Sequence, residues 1–184
     1  MSTIPSARLP LGQRLTICGL AELTGRVTPA TTTVVSLLDP GYETPEILER
    51  IPQRHRFSFF DVVDPNLPMS PTPQDVERLI EVGSSLDDQG HVLVHCHAGM
   101  SRSTAAAMLF MVLHGASPQE AAEQLMAVRF PCWPNSLILR MADEQLGWQG
   151  ALLQASRAVY LRMQQEHADY VAQLATTSRA AEIP

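Results

Sequence analysis

Short apolar stretches alternate with stretches of helical periodicity along most of this chain. The apolar stretches are rich in β-branched and aromatic side chains, which is typical of buried strands. They predict four strands, at residues 15–18, 31–38, 56–60 and 91–94. Apolar residues at helical spacing predict helices near residues 76–86, 103–114, 118–128, 136–146 and 150–174. Strands that alternate with helices and are followed by a helical C-terminal half indicate an α/β fold.

The C-terminal half carries the clearest helix signals. Ser117 is predicted to cap a helix whose first position is Pro118, and Asn135 or Ser136 is predicted to cap the next. The helix at 103–114 is apolar on nearly every face, which is typical of a central, buried helix. The last helix instead has one apolar stripe, predicted to pack on its own domain, with a dimer or partner-helix contact as the alternative. The stripe consists of Leu152, Val159, Met163, Tyr170 and Leu174.

Composition narrows the domain organisation and the classes of function. The chain of 184 residues is 45% apolar, which is enough for one core, and we expect one domain at residues 14–148. An irregular lead-in at 1–13 would precede it, and a C-terminal helix at 149–175 and a frayed tail at 176–184 would follow. The net charge of −6 argues against binding to nucleic acid or to acidic membrane surfaces.

The cysteines and the longest apolar run indicate the compartment. Cys18, Cys96 and Cys132 form no disulfide framework, which favours a reducing environment. No apolar segment of signal-peptide length lies near the N-terminus. The longest apolar run, at 105–113, is too short to span a bilayer. We therefore expect a cytoplasmic protein without a membrane partner.

The candidate chemistry lies in the nine residues from His95 to Ser103, HCHAGMSRS. They connect a predicted strand to a predicted helix, so the loop ends where helical N–H groups lack intrahelical partners and attract anions. Gly99 permits a tight turn, and Arg102 can bind two phosphate oxygens with its planar fork. Cys96 lies at the base of this loop, where a positive field favours the nucleophilic thiolate.

The loop resembles the phosphate-binding loop of the cysteine-based protein tyrosine phosphatases, H-C-x-x-G-x-x-R-S/T. It is most similar to the dual-specificity branch and its bacterial relatives, and the resemblance extends over about residues 14–146. It implies a mostly parallel central sheet flanked by helices. It also implies hydrolysis of a phosphomonoester, on a protein or a small molecule, through a cysteinyl-phosphate intermediate and without metal or cofactor.

The resemblance further implies a role for each residue of the loop. Ser103 would donate a hydrogen bond to the sulfur of Cys96, and His95 would support the loop from behind. Similar enzymes often carry an arginine near Arg129, which would be solvated or would contact substrate. Side chains after the cysteine would point to the rim while backbone N–H groups and Arg102 bind phosphate. The residues that supply these N–H groups would be His97, Ala98, Gly99, Met100 and Ser101.

A leaving oxygen needs a proton, and a carboxylic acid on a neighbouring loop is the usual source. In the family this acid is an aspartate upstream of the cysteine, and the chain offers two candidates. Asp61 is preferred because it directly follows a predicted strand in an FFD context, as in the bacterial relatives. Asp64 is the alternative, since its separation from Cys96 is nearer that of small dual-specificity enzymes. The aspartate that is not the acid would cap the turn before Pro65.

Other interpretations of the loop stay open at this point. A phosphate-binding module without turnover would bind phosphopeptides but release no phosphate. A rhodanese-like sulfur transferase would also place a cysteine before a helix, yet it would not need Asp61. An arsenate reductase would need a second thiol near Cys96, and reversible oxidation against Cys132 is a related hypothesis. The loop contains no lysine, which disfavours a polyanionic inositide as substrate.

Overall fold

A single parallel sheet forms the centre of the computed structural model, which describes residues 10–184. Its strands run in the order β1-β4-β2-β3, and all neighbouring pairs are parallel. The strands are β1 (Leu15–Cys18), β2 (Thr31–Leu38), β3 (Gln53–Ser58) and β4 (His91–His95). Their carboxyl ends therefore lie along one edge of the sheet, where open α/β sheets bind ligands. The predicted α/β fold with a parallel central sheet is confirmed.

Helices pack against this sheet. The α-helices of the described residues are α1 (Leu23–Arg26), α2 (Pro73–Ser84), α3 (Arg102–Leu113), α4 (Pro118–Val128), α5 (Ser136–Leu146), α6 (Ala151–Glu166) and α7 (Ala168–Leu174). Short 3₁₀ helices lie at Leu11–Arg14, Leu20–Glu22, Glu46–Leu48 and Ser178–Glu182. Among residues 10–184 no helix is both long enough and apolar enough to cross a membrane.

Helix α3 is the centre of the packing, as its uniformly apolar sequence predicts. Ten of its twelve residues are buried, and its neighbours include α2, α4 and α5. The predicted caps of two other helices are present: the Ser117 hydroxyl accepts from the N–H of Glu120, and Asn135 caps α5. Because α3 starts directly after the loop at the end of β4, the core of the protein holds both ends of that loop.

Strand β3 lies further upstream than its sequence predicts. The prediction was residues 56–60, whereas the strand runs from Gln53 to Ser58. The register with β2 explains the difference: Leu38 is the last residue of β2 and pairs with Ser58, so the ladder between the two strands ends there. The N–H of Phe59 still donates to the carbonyl oxygen of Leu38, and beyond it the chain leaves the sheet and reaches the loop after β4 at Asp61.

Two segments near the ends of the described residues contain more helix than predicted, and the last predicted helix is divided. The lead-in expected at 1–13 falls partly outside the described residues, but Leu11–Arg14 is a 3₁₀ helix with Leu11 buried. The single helix expected at 150–174 is interrupted at His167 and forms α6 and α7. The tail expected to fray contains the 3₁₀ helix Ser178–Glu182. This helix is held in place by two buried charged side chains, Arg179 and Glu182, which pair with each other.

The apolar stripe of the C-terminal segment packs inside the chain. Leu152 belongs to the main core, and Val159 packs with it. Met163 and Leu174 pack with Trp133 in a second apolar cluster, which Tyr170 partly covers. The favoured prediction, packing on its own domain, is thus what the structure shows for this stripe.

Candidate active site

The loop between β4 and α3 directs its backbone carbonyl groups outward. Each of five consecutive carbonyl oxygens accepts a hydrogen bond from a neighbouring segment. The pairs are His97 O with Leu20 N at 2.9 Å, Ala98 O with Arg129 Nη2 at 3.1 Å, Gly99 O with Arg129 Nε at 3.0 Å, Met100 O with Trp133 N at 2.8 Å, and Ser101 O with Asn135 N at 3.3 Å. In a planar trans peptide the next N–H points the opposite way. The N–H groups of residues 98–102 therefore face the inside of the loop.

Gly99 is required for this arrangement. Its φ is +70°, in the left-handed region that disfavours side chains. A Cβ atom at this position would lie 2.4 Å from the carbonyl carbon of Cys18 and 2.5 Å from the nitrogen of Gly19. The end of β1 therefore touches the loop directly, and only glycine fits between the two backbones.

Cys96 is the first residue of the loop after β4, and it is 2% exposed. Its Sγ receives the N–H of Gly99 at 3.2 Å and lies 3.2 Å from the Oγ of Ser103. Both contacts can stabilise negative charge on sulfur. The N-terminus of α3 lies just beyond, where the helix dipole acts in the same direction. The structure therefore brings Cys96 and Ser103 together as the resemblance implies.

His95 lies behind the loop, at the end of β4, and is fully buried. Its Nε2 is 2.7 Å from the Oγ of Ser36 on the neighbouring strand. Burial lowers the pKa of His95 to about 4, and the nearby His97 and Arg56 act in the same direction. The ring is therefore neutral at neutral pH, and it ties the base of the loop to β2 without adding a charge.

Arg102 is the first residue of α3, and its side chain is 4% exposed. Its Nη1 donates to Asp39 Oδ1 and to the carbonyl oxygen of Phe59, both at 2.7 Å. Its buried Nε–H has no hydrogen-bond partner among residues 10–184. A buried donor without a partner is rare because it costs free energy. This N–H is thus available to an anion bound in the loop.

Asp39 is a site residue that the sequence analysis did not assign. It directly follows β2, and its carboxylate orients the guanidinium of Arg102. It also lies 3.4 Å from Nε2 of His97, which is at the rim of the loop. The ring of Tyr42 packs edge-on against His97, with centroids 4.7 Å apart, and is 44% exposed. One side of the loop is therefore flanked by an exposed aromatic ring.

The two candidate acids lie in different surroundings. Asp61 contacts the loop: its Oδ1 accepts from Ser101 Oγ at 2.7 Å and from Asn135 Nδ2 at 2.9 Å. Asp64 accepts from the backbone N–H of Asn66 at 2.9 Å, which is the turn-capping role expected for the aspartate that is not the acid. Ser101 was predicted to point to the rim, but it is buried because Asp61 lies over it.

Arg129 supports the loop from outside. Its Nε and Nη2 donate to the carbonyl oxygens of Gly99 and Ala98, and its Nη1 donates to Glu22 Oε1 at 2.8 Å. This hydrogen bond from Arg129 is the largest influence that lowers the pKa of Glu22. Glu22 in turn accepts from the N–H of Gly19 at 2.8 Å. The donors of Arg129 are thus occupied by the two loop carbonyls and by Glu22. Arg129 therefore braces the loop, a role different from the two expected for it, a solvated side chain or a contact with substrate.

The other two thiols are buried, and burial keeps them protonated. Cys18 and Cys132 are free and buried. Burial raises the pKa of each to about 12, so both remain protonated near neutral pH. Within residues 10–184 no three His, Cys, Asp or Glu side chains come together as metal ligands would.

Solved structures share this architecture. The crystal structure of human DUSP28 is 19% identical to this chain, with a TM-score of 0.56 over 78% of this chain and 95% of that one. The crystal structure of PTPMT1 is 17% identical, with a TM-score of 0.53 over 85% and 98%. The human tyrosine phosphatase-like serine/threonine/tyrosine-interacting protein is 19% identical, with a TM-score of 0.55 over 74% and 93%. No protein-family model matches the chain, and no curated protein matches it in sequence.

Proposed function

We propose that this chain, which has the fold of the dual-specificity branch of the cysteine-based protein tyrosine phosphatases, hydrolyses phosphomonoesters through a cysteinyl-phosphate intermediate. The observation that carries the proposal is the set of hydrogen-bond donors that the loop presents next to Cys96. The N–H groups of residues 98–102 face the inside of the loop, and the buried Nε–H of Arg102 has no partner among residues 10–184. A tetrahedral anion with a phosphorus atom above a thiolate fits this donor set.

In the first step the Cys96 thiolate attacks phosphorus, and the bond from phosphorus to the ester oxygen breaks. The N–H groups of the loop and Arg102 stabilise the charge on the three equatorial oxygens. The leaving oxygen takes its proton from the carboxylic acid of Asp61, which lies beside the loop through its contact with Ser101. No metal ion is required in this step, because the protein's own donors neutralise the phosphoryl charge.

In the second step a water molecule attacks the cysteinyl phosphate. Asp61, now a carboxylate, accepts a proton from that water as the new phosphorus–oxygen bond forms. The bond between sulfur and phosphorus breaks, and its electron pair returns to Cys96. The hydroxyl of Ser103, 3.2 Å from the sulfur, stabilises the thiolate that leaves. Inorganic phosphate then departs and the site returns to its starting state.

The surroundings of the loop favour a phosphorylated protein or a small phosphomonoester as substrate. No lysine stands between Cys96 and Arg102, so the loop offers no extra cation to a polyanionic headgroup. The exposed apolar side chains beside it include Tyr42, next to His97, and Phe60, next to Asp61. An aromatic or apolar leaving group could pack against such side chains.

The decisive experiment measures release of p-nitrophenol from p-nitrophenyl phosphate by the wild type and by Cys96→Ser, with and without a chelator. We expect turnover that survives the chelator and falls by at least about four orders of magnitude in Cys96→Ser, because the nucleophile is lost. Rapid quenching of the wild type should also trap phosphate on Cys96, detectable by mass spectrometry.

Two other results would point to different functions. Binding of phosphate or tungstate without any turnover would identify a phosphate-binding module. Transfer of sulfur from thiosulfate to cyanide, lost in Cys96→Ser, would identify a sulfur transferase. Either result, in a protein whose fold is intact by circular dichroism, would overturn the proposed function.

A further inference from the structure

The 3₁₀ helix near the C-terminus is anchored next to the candidate site by Glu182. The Glu182 side chain is 2% exposed. One of its oxygens accepts from the backbone N–H of Ser136 at 2.8 Å, at the N-terminus of α5, and the other accepts from Trp133 Nε1 at 3.0 Å. Carboxylates are stabilised at helix N-termini. This segment is thus fixed to the region that also supplies Asn135, a partner of Asp61.

Arg179 extends from the same 3₁₀ helix to the site. Its Nε donates to Glu182 Oε2 at 2.6 Å, and its Nη1 donates to Ser101 Oγ at 2.8 Å and lies 3.4 Å from Asp61 Oδ2. Burial acts to lower the pKa of Arg179, but the carboxylates of Asp61 and Glu182 outweigh it and raise that pKa. The guanidinium is therefore a permanent cation between the anchor and the candidate acid.

We infer that Arg179 is a positioning residue that holds Asp61 over the phosphate-binding loop in the orientation needed to protonate the leaving oxygen. The inference rests on the proposed function and deepens it. Oδ1 of Asp61 already accepts two hydrogen bonds, from Ser101 and Asn135, so the transferable proton belongs on Oδ2. Arg179 faces that oxygen, and through Ser101 it also orients the donor to Oδ1.

Arg179 is the cation that links the charged groups next to Asp61. Its guanidinium interacts with Asp61, with Glu182 on its own 3₁₀ helix and with the hydroxyl of Tyr170 on α7. Removing the charge of Arg179 should therefore leave the carboxyl group of Asp61 less well oriented over the loop.

The test compares leaving groups that differ in their need for a proton. Phenyl phosphate requires protonation of its leaving oxygen, whereas 2,4-dinitrophenyl phosphate releases a stable anion. The measured quantity is kcat/KM, which reports the steps up to loss of the leaving group. For Arg179→Met we expect a loss of about 10–100-fold with phenyl phosphate, as for one hydrogen bond to a charged group. With 2,4-dinitrophenyl phosphate we expect a loss below about threefold, because no acid is needed.

The conservative variant and chemical rescue separate positioning from simple support of the fold. With phenyl phosphate, Arg179→Lys, which keeps the charge, should lose less of kcat/KM than Arg179→Met. Guanidinium ions, added far below denaturing concentration, should partly restore Arg179→Ala. Arg157→Met, which removes an exposed arginine from α6, is the matched control and should behave as the wild type.

Different outcomes identify which idea fails. Equal losses on both substrates in Arg179→Met, with Asp61→Asn showing the expected preference for 2,4-dinitrophenyl phosphate, would overturn the role of Arg179 alone. A loss in Arg179→Lys as large as that in Arg179→Met, with no rescue of Arg179→Ala by guanidinium ions, would do the same. If Asp61→Asn shows no preference for 2,4-dinitrophenyl phosphate, Asp61 is not the general acid, and the inference about Arg179 fails with that assignment. No turnover of either substrate by the wild type would instead overturn the proposed function itself.

Discussion

The loop that holds Cys96 and the side chain of Asp61 are stabilised in different ways. The cysteine loop is held along its backbone, with five consecutive carbonyl groups bonded to neighbouring segments. Asp61 is held by the hydrogen bonds of its side chain, whose partners are 40, 74 and 118 residues away in sequence. Cys96 is 2% exposed, whereas the Asp61 side chain is 31% exposed.

The difference matches what each group must do. Stabilisation of the phosphoryl oxygens depends on donors that are already oriented before the substrate arrives, which a braced backbone provides. The acid must instead reach leaving groups of varied shape and exchange protons with water. A side chain held by three polar partners at the surface can do both. Variants that disturb one region without the other should therefore give distinguishable kinetics.

The largest effect that leaves the fold unchanged is expected at Asp61, the proposed acid. Asp61→Asn should lower kcat/KM for phenyl phosphate by about 10²–10⁴-fold, the usual contribution of general acid catalysis. Asn keeps the size of the side chain, so the fold should be unchanged. Asp64→Asn is the matched control and should change the rate less than about threefold, since Asp64 caps a turn. A larger loss in Asp64→Asn than in Asp61→Asn would reverse the assignment.

The next effect is on the backbone of the cysteine loop. Gly99→Ala adds a methyl group within 2.4 Å of the backbone of β1 at a φ of +70°. We expect it to lower the free energy of unfolding by about 4 kcal/mol and to abolish turnover of every substrate. Gly41→Ala is the control, because Gly41 has a similar φ of +77° but nothing within 4 Å of its would-be Cβ.

Gly41→Ala should lower the free energy of unfolding by only about 1–2 kcal/mol, the cost of a left-handed residue with a side chain. Urea unfolding measures both variants. Equal losses in the two would mean that the contact between the loop and β1 contributes nothing, and that the loop is less rigid than its hydrogen bonds imply.

His95, which lies behind the loop, should make the free energy of unfolding depend on pH. The pKa of His95 is about 4 in the folded protein and near 6.5 when unfolded. Above pH 6.5 the ring is neutral in both states, and its contribution is complete. Between pH 6.5 and 4 only the unfolded chain binds the proton, so stability falls as pH falls. The loss is on the order of 3 kcal/mol in total.

His55 and His91 also have lowered pKa values, because both are partly buried, so they add to the slope of the wild type. The difference between the wild type and His95→Asn isolates His95. Urea unfolding at intervals from pH 7.5 to about 4 measures it, and the variant should show the shallower dependence. Parallel curves would mean that His95 titrates normally in the folded protein.

The smallest effect is expected at Arg129, which supports the loop from outside. Arg129→Met removes the donors to the Gly99 and Ala98 carbonyls and should lower kcat/KM about tenfold, as for a charge-assisted hydrogen bond. The loss should be equal for phenyl and 2,4-dinitrophenyl phosphate, because the phosphoryl group is bound less well in both. Arg26→Met is the control, since Arg26 lies 3.9 Å from the same Glu22 but is not bonded to the loop. A preference for the better leaving group would place Arg129 with the acid instead.

Much of the fold follows from local signals. The apolar runs predicted β1 and β2 at their observed bounds, and the caps at Ser117 and Asn135 predicted the starts of α4 and α5. These signals are local because backbone hydrogen bonding and apolar burial depend on neighbouring residues. The bounds of β3 were missed because the ladder with β2, rather than the apolar run, decides where it ends.

The missed site residues share one property. Asp39 meets Arg102 across 63 positions, and Arg179 meets Asp61 across 118. Each is a single charged residue outside the strands and α-helices, and no spacing rule connects it to its partner. Asn135 was identified only as a helix cap, and its second role, as a donor to Asp61, gives no signal of its own.

The sequence by itself determined the cysteine loop, because nine contiguous residues between a strand and a helix contain the proposed nucleophile, the turn and the proposed anion-binding cation. Only the tertiary structure decided which aspartate contacts that loop and which charges surround it. The physical reason is that a polar side chain acts on whatever group the packing of helices brings within about 3 Å of it. That packing places the 3₁₀ helix near the C-terminus next to Asp61.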